Sequence, residues 1–401
     1  MRELPPGWTL TRVGDLFEMQ IGKKLNKEAS AGRDQREYVT NKDVQWNQIY
    51  FNSLNRMSFN AAERERFLLI PGDLLVTEGG EVGRTAIWEG QRTDCYFQMS
   101  LHRLRSRGAI DPRYMLHYMS RAARLELFVE GVSQTSIAHL PQDKFAKHLV
   151  AHPVDIEEQR RIVGVLDGVS GLEREIEASI SKLKALRFGV MEELSDLDYG
   201  KLGEVIKQGP QNGIYKPGSS YGLHGTPIVR IDSFSQGVSD FTRGLLRVAV
   251  SGDEVVRYGL EVGDLVVNRV NSLELVGKST SVRKLAEPTV FESNMMRCKL
   301  NRSLADPVFT EVWLGSSVVK RYFLARAKSA ISQASINSDD VRDCPFPKLD
   351  VPGQLAFLAR LGAVEDQQLA EVAELAKLRK LKQGLADDLL SGRIASTAVT
   401  A

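Results

Sequence analysis

The chain has 401 residues, of which 42% are hydrophobic and 26% charged, with 33 Gly and 14 Pro, an ordinary globular composition that excludes disordered, collagen-like and coiled-coil-only proteins. At roughly 150 residues per domain the length implies two or three domains; no leading apolar segment and no run near the ~18 apolar residues of a membrane span is present, so a cytoplasmic protein with no membrane partner is expected. The net charge of +2 hides an uneven distribution: residues 1–150 carry 21 Lys+Arg against 18 Asp+Glu, residues 151–200 carry 6 against 11, and residues 201–338 carry 18 against 12, so two mildly basic blocks flank an acidic one.

In chain order, residues 1–152 read as a mixed α+β block. Strand signals fall at Phe67 to Ile70, Gly72 to Thr77, Thr85 to Trp88 and Leu101 to Leu104, with a short helix from Tyr114 to Val129. Residues 153–198 form a long amphipathic helix, because Ile162, Leu166, Val169, Leu172, Ile176, Ile180, Leu183, Leu186, Val190 and Leu194 recur at intervals of three or four. Asp155 is placed to cap it and Glu158 to complete a capping box. Residues 199–350 repeat the mixed pattern, with strands at Pro227 to Ile231, Leu260 to Asn268 and Met296 to Leu300. Residues 351–395 are a second long helix with Pro352 in its first turn and Gly392 at its end, and 396–401 are a tail. At 1.5 Å per residue each helix is about 55 Å long. Each stripe needs a partner, and an antiparallel pair of the two helices is expected.

Self-comparison explains this order. Lys182-Leu183-Lys184-Ala185-Leu186 recurs as Lys377-Leu378-Arg379-Lys380-Leu381, Gly72-Asp73-Leu74-Leu75-Val76 as Gly263-Asp264-Leu265-Val266-Val267, and Ser133-Gln134-Thr135-Ser136-Ile137 as Ser332-Gln333-Ala334-Ser335-Ile336. Matches that preserve order and spacing predict a tandem duplication of an α+β domain, each copy followed by a long helix, with the two helices forming an antiparallel, coiled-coil-like spacer.

Catalytic signals are weak. Asp111-Pro112-Arg113-Tyr114 imitates the acidic-Pro-Pro-aromatic motif of amino-methyltransferases but fails at its third position, and no Gly-rich turn for S-adenosylmethionine lies nearby; a helix start is the better reading. Gly277-Lys278-Ser279-Thr280 imitates the end of a phosphate-binding loop but has Ser272 where the earlier Gly belongs; it and Gly83-Arg84-Thr85 read as hairpins with basic tips. Cys95, Cys298 and Cys344 are far apart, and the six His show no ligand spacing. No catalytic, cofactor-binding or metal residue is therefore nominated.

The arrangement resembles the specificity subunit of type I restriction-modification systems over essentially the whole chain. The likeness is carried by Leu4-Pro5-Pro6-Gly7-Trp8, by Pro153-Val154-Asp155-Ile156-Glu157-Glu158-Gln159-Arg160 at the first helix start, by the Gly-Asp-Leu strands, by the Ser-Gln-x-Ser-Ile loops and by the Lys-Leu-x-x-Leu-x-x-Gly helix endings. Val351-Pro352-Gly353-Gln354 keeps the Gln of the second helix start but lacks its paired acids. The resemblance implies a non-catalytic phage-defence subunit whose two target-recognition domains each read half of a bipartite, asymmetric site in double-stranded DNA, while the helices set the unread spacer. It implies two modification subunits as partners, which supply S-adenosylmethionine-dependent adenine N6 methylation, and optionally two motor-nuclease subunits using ATP and Mg²⁺. A stand-alone DNA-binding regulator or scaffold of the same duplicated fold is the alternative, and an autonomous methyltransferase a remoter one. Base readout needs hydrogen-bonding side chains on loops beside Lys and Arg that hold phosphates. The candidates are Lys23, Lys24, Asn41, Lys42, Thr77, Glu78, Arg84, Gln134 and Thr135 in the first block, and Tyr215, Lys216, Arg230, Asp232, Asn268, Arg269, Asn271, Lys278, Asn294 and Gln333 in the second.

Overall fold

The computed structural model describes residues 4–128, 139–222, 224–234, 241–329 and 333–398. Contacts divide the chain into two compact units, Met1–Ala178 with Val372–Ala401, and Ser179–Glu371. The divisions fall inside the two long helices, Ile156–Glu192 and Val351–Leu389.

The first unit is built on an antiparallel sheet in the order Phe17–Ile21, Leu101–Ser106, Leu74–Thr77, Thr85–Ile87. Its third strand reads as an unbroken apolar run because both faces are covered. Leu74 and Val76 enter a core with Tyr114, Met115, Phe145, Ile162, Leu166 and Leu389, whereas Leu75 enters one with Trp88, Phe97 and Leu101. The second core lies against a three-stranded sheet in the order Asn55–Ser58, Gln35–Val39, Tyr96–Phe97, whose last pair is parallel. Trp8–Arg12 pairs with Leu149–Pro153 beside the start of the long helix.

The second unit has the same plan. Its antiparallel sheet runs Ile206–Asn212, Met295–Leu300, Leu265–Asn268, Ser279–Ser281. Leu265 and Val267 face a core with Trp313, Phe309 and Phe357, and Val266 faces one with Val229, Phe234 and Phe291. Thr226–Val229 pairs in parallel with Val290–Phe291, as Gln35–Val39 does with Tyr96–Phe97.

In both units a short helix, Pro112–Arg124 and Pro307–Leu314, opens on Asp-Pro. Asp111 accepts from the N–H groups of Arg113 and Tyr114, and Asp306 from those of Val308 and Phe309, with the Pro in the first turn. Both motifs are helix caps. The long helices are then fastened by a buried Gln. Gln159 donates to Pro153 O (2.8 Å) and Ala109 O (3.1 Å) and accepts from the Asp111 N–H (2.8 Å). Gln354 donates to Leu349 O (2.7 Å) and Leu304 O (3.0 Å) and accepts from the Asp306 N–H (2.8 Å).

Several expectations need correction. Phe67 to Ile70 is not a strand: Asn60 and Glu63 form a capping box that starts a helix at Ala61, and Phe67 is its last residue. Asp155 does cap the Glu157 N–H, but Glu158 completes no box, because its carboxylate accepts instead from Ser396 and Arg161. The apolar stripes are only partly covered: Leu172, Leu186, Leu369, Val372 and Leu381 are exposed. Among the described residues no helix is long and apolar enough to cross a membrane.

Candidate nucleic-acid interface

The clearest shared device is the loop that follows each parallel strand. In the first unit the loop Thr40–Val44 turns because Asp43 accepts from both the N–H and the hydroxyl of Thr40 (2.9 and 2.8 Å). In the second, Arg230–Phe234 turns because the Ser233 hydroxyl accepts from the Arg230 N–H (2.9 Å). Each loop is then held from two sides. Ser100 Oγ accepts from the Asn41 N–H (3.1 Å), and Glu292 Oε1 accepts from the Ile231 N–H (2.7 Å). On the other side a cation from the neighbouring hairpin turns inward. Arg84 donates to Asn41 O (2.8 Å), and Lys278 donates to Phe234 O (2.6 Å) and Ile231 O (3.3 Å) while lying over the Phe234 ring at 4.4 Å. Burial pulls the Lys278 ammonium below its ordinary pKa, partly offset by the charge of Asp232.

Beside the second loop is a cleft of about 440 Å³ lined by Tyr215, Lys216, Tyr221, Arg230, Glu292 and Asn294 among others. Four of the expected residues, Tyr215, Lys216, Arg230 and Asn294, meet there. Arg230 stacks over the Tyr221 ring at 5.6 Å and stands 3.5 Å from Glu292. Burial raises the Glu292 carboxyl above the ordinary range, with the Ile231 amide and Arg230 opposing. Tyr215 is 78% exposed, while Lys216 is paired with Glu254 at 2.9 Å.

The remaining candidates separate by exposure. Lys24, Lys42, Asp232 and Gln333 are exposed. Lys23 is turned inward, donating to Glu63 (2.6 Å) and Ser58 O (2.7 Å) over the Phe59 ring. Thr77 and Asn268 are fully buried on equivalent strands; the Thr77 hydroxyl donates to Glu81 O, whereas the side-chain amide of Asn268 finds no hydrogen-bond partner among the described residues. Glu78 is half-buried, its backbone bonded to Ser100 and Leu140. Arg269 reaches Ser293 O at 3.5 Å, and Asn271 accepts from the Ser272 N–H at 2.8 Å. Gln134 and Thr135 lie outside the described residues. Sequence reasoning missed Ser100, Tyr221 and Glu292. For two of them a signal was present: Phe97-Gln98-Met99-Ser100 and Phe291-Glu292-Ser293-Asn294 precede Arg103 and Arg297 at a constant offset of 194, with Ser100 opposite Asn294 and Glu292 opposite Gln98, whereas nothing in this match points to Tyr221.

Comparison with known proteins agrees with this plan. Residues 5–182 match the family described as the type I restriction modification DNA specificity domain. A putative type I restriction enzyme specificity subunit, MjaX, of Methanocaldococcus jannaschii is 26% identical over 166 residues, which are 40% of this chain and 39% of that protein. The chain also superposes on the HsdS subunit of Thermoanaerobacter tengcongensis (TM-score 0.55, 18% identity, 98% of this chain and 99% of that one). It matches more closely a chain from a study of complex assembly and conformational transition of the type I R-M system (TM-score 0.63, 16% identity, 98% and 100%). The type I S subunit of M. genitalium gives a TM-score of 0.52 at 13% identity, covering 97% of this chain and 98% of that one. The family likeness is therefore carried by residues 5–182, and the likeness in fold runs over nearly the whole chain. The resemblance of the chain to the specificity subunits of type I systems, carried in sequence by the Gly-Asp-Leu strands and the Glu-Gln helix start, is borne out.

Proposed function

We propose that this chain is the non-catalytic subunit that gives a type I restriction-modification complex its DNA sequence specificity, reading a bipartite, asymmetric site in double-stranded DNA with one half-site per unit. The observation that carries this reading is a loop held in the same way twice, by Ser100 and Arg84 and again by Glu292 and Lys278, while the side chains it presents differ, Lys42 against Asp232. A tandem duplication accounts for this pattern. The two modification subunits, and motor-nuclease subunits where present, would dock on the exposed apolar residues of the long helices, such as Leu172, Phe188, Leu369 and Leu381. S-adenosylmethionine, ATP and Mg²⁺ would belong to those partners.

The test is exchange. Replacing residues 1–150 by the same block of a relative, with modification subunits present, changes one half of the methylated motif and leaves the other. A change in both halves removes the modular reading. A chain that binds a unique site equally tightly and specifically without modification subunits is a stand-alone regulator instead.

The helix pair would set the spacer. Its antiparallel sense is supported within each unit: Lys382 pairs with Glu173 and Arg379 with Glu177 in the first, Arg187 with Glu365 and Arg360 with Glu193 in the second. Matched four-residue insertions after Ala178 and after Glu371 keep the pair in register and add about 6 Å, close to two base-pair steps. Methylation sequencing then finds the same half-sites with a spacer longer by one or two base pairs. An unchanged spacer shows that the helices do not measure it.

A further inference from the structure

The loop Arg230–Phe234 has its backbone fixed and its tip free. Its amides are taken by Glu292 and Ser233, its carbonyls by Lys278, and its flanking Arg230 by Tyr221 and Glu292. What remains outward is Asp232, whose side chain is 69% exposed and 3.9 Å from Arg230. An exposed carboxylate is an unfavourable group to bring against phosphate. It becomes useful in a groove when it accepts a hydrogen bond from a base amino group, and in the major groove the group that pairs with Asp or Glu is cytosine N4. At the equivalent place in the first unit Lys42 offers donors only, so one frame carries opposite hydrogen-bonding character in the two units.

We infer that Asp232 is a specificity-determining residue that selects a cytosine in the half-site read by the second unit, and that Lys278 is a positioning residue that holds Asp232 in place through the Ile231 and Phe234 carbonyls. The inference rests on the DNA-specificity reading above. A rigid support is what such a contact needs, since a base-edge hydrogen bond is lost by displacements of about 1 Å. Lys278 is thereby withdrawn from the phosphate contact its hairpin position suggests: its ammonium points into the protein.

The wild-type chain and its variants, each co-expressed with the modification subunits, are compared by sequencing methylated adenines. Wild type yields a bipartite motif with a C·G pair at one position that Asp232→Asn alters, either towards adenine, which pairs bidentately with Asn, or to no preference, with a loss of about 10- to 100-fold in discrimination there. The other half-site is unchanged. Lys278→Ala relaxes the same position and Lys278→Arg restores it, which a loss of folding would not reproduce at one base pair. Asp232→Asn with the wild-type motif intact, or with the change at an A·T pair, overturns the assignment of Asp232. Equal motifs for Lys278→Ala and wild type overturn that of Lys278. Absence of any methylated motif dependent on the wild-type chain fails the DNA-specificity reading itself, and this inference with it.

Discussion

The buried Asp of each Gly-Asp-Leu strand shows how far two copies of one plan can part. Asp73 and Asp264 have the same neighbours in sequence and the same backbone bond, accepting from the N–H of Ile70 and of Glu261 at 2.9 Å. Asp73 is also clamped by Arg105, which donates to both its oxygens at 2.7 and 2.8 Å. At the position of Arg105 the second unit has Lys299, and it pairs with Glu261 instead. Among the described residues the one ion pair of Asp264 is with Arg297 at 4.0 Å, and burial lifts its carboxyl above the ordinary range. The shared backbone turn, not the ion pair, is what the fold requires of this position; the charge is compensated in one copy and costly in the other.

The largest test of the comparison addresses what the two units share most closely. Gln159 and Gln354 each satisfy three backbone groups in places closed to water. Gln159→Leu or Gln354→Leu orphans those groups at about 1–3 kcal/mol each, a destabilisation on the order of 4 kcal/mol. Region-resolved hydrogen exchange, needed because two units do not unfold as one state, should show Gln159→Leu loosening residues 1–178 with 372–401 and Gln354→Leu loosening 179–371. Equal loosening of both regions by either variant would mean that they are one cooperative body.

The Asp pair separates the copies. Asp73→Asn leaves the Arg105 guanidinium without its carboxylate, at a cost of about 3 kcal/mol, the low end for a buried pair because Arg105 is partly exposed. Asp264→Asn keeps the acceptor for the Glu261 N–H and removes a poorly compensated charge, so the unfolding free energy of its unit, measured by denaturant titration, moves by less than about 1 kcal/mol in either direction. A comparable loss in the two variants would show that Arg297 compensates Asp264 despite the distance.

These cases also show what could be read from the sequence. The element order, the central strands, the Asp-Pro helix starts and both long helices were legible because each follows from local periodicity or capping chemistry. Hydrogen-bonding side chains beside Lys and Arg marked the candidate residues, and of these Tyr215, Lys216, Arg230 and Asn294 do line one cleft. The direction of a side chain was not legible. Lys23, Arg84 and Lys278 look like a surface that attracts phosphate, yet each finds an acceptor inside its own unit, Glu63 or a loop carbonyl. Such partners lie 40 to 47 residues away in sequence for all three, beyond the reach of any periodicity. Glu158 failed as a capping partner for the same reason, since Ser396 reaches it from 238 residues away.

The smallest expected effect is a difference in the sign of the acid response. Asp167 is pushed up by burial, but hydrogen bonds and charge from His117 (2.8 Å) and Arg113 (3.2 Å) outweigh this and hold it below its ordinary pKa. A carboxylate lowered in the folded state contributes stability that is present above its unfolded pKa and is lost as the pH falls through its folded one. Glu292 is the reverse: burial leaves it raised, so its contribution is fully present below the unfolded pKa and is lost as the pH rises through the folded value. Going from about pH 6 to about pH 3, the contact of the Pro112–Arg124 helix with Asp167 should weaken, whereas protonation of Glu292 should relieve its desolvation at the Arg230–Phe234 loop. Amide exchange corrected for its intrinsic pH dependence reads both regions in one experiment. Asp167→Asn and Glu292→Gln should each flatten the response of their own region alone; if the two wild-type regions respond with the same sign, general charge repulsion rather than these two carboxyls governs the acid behaviour of the protein.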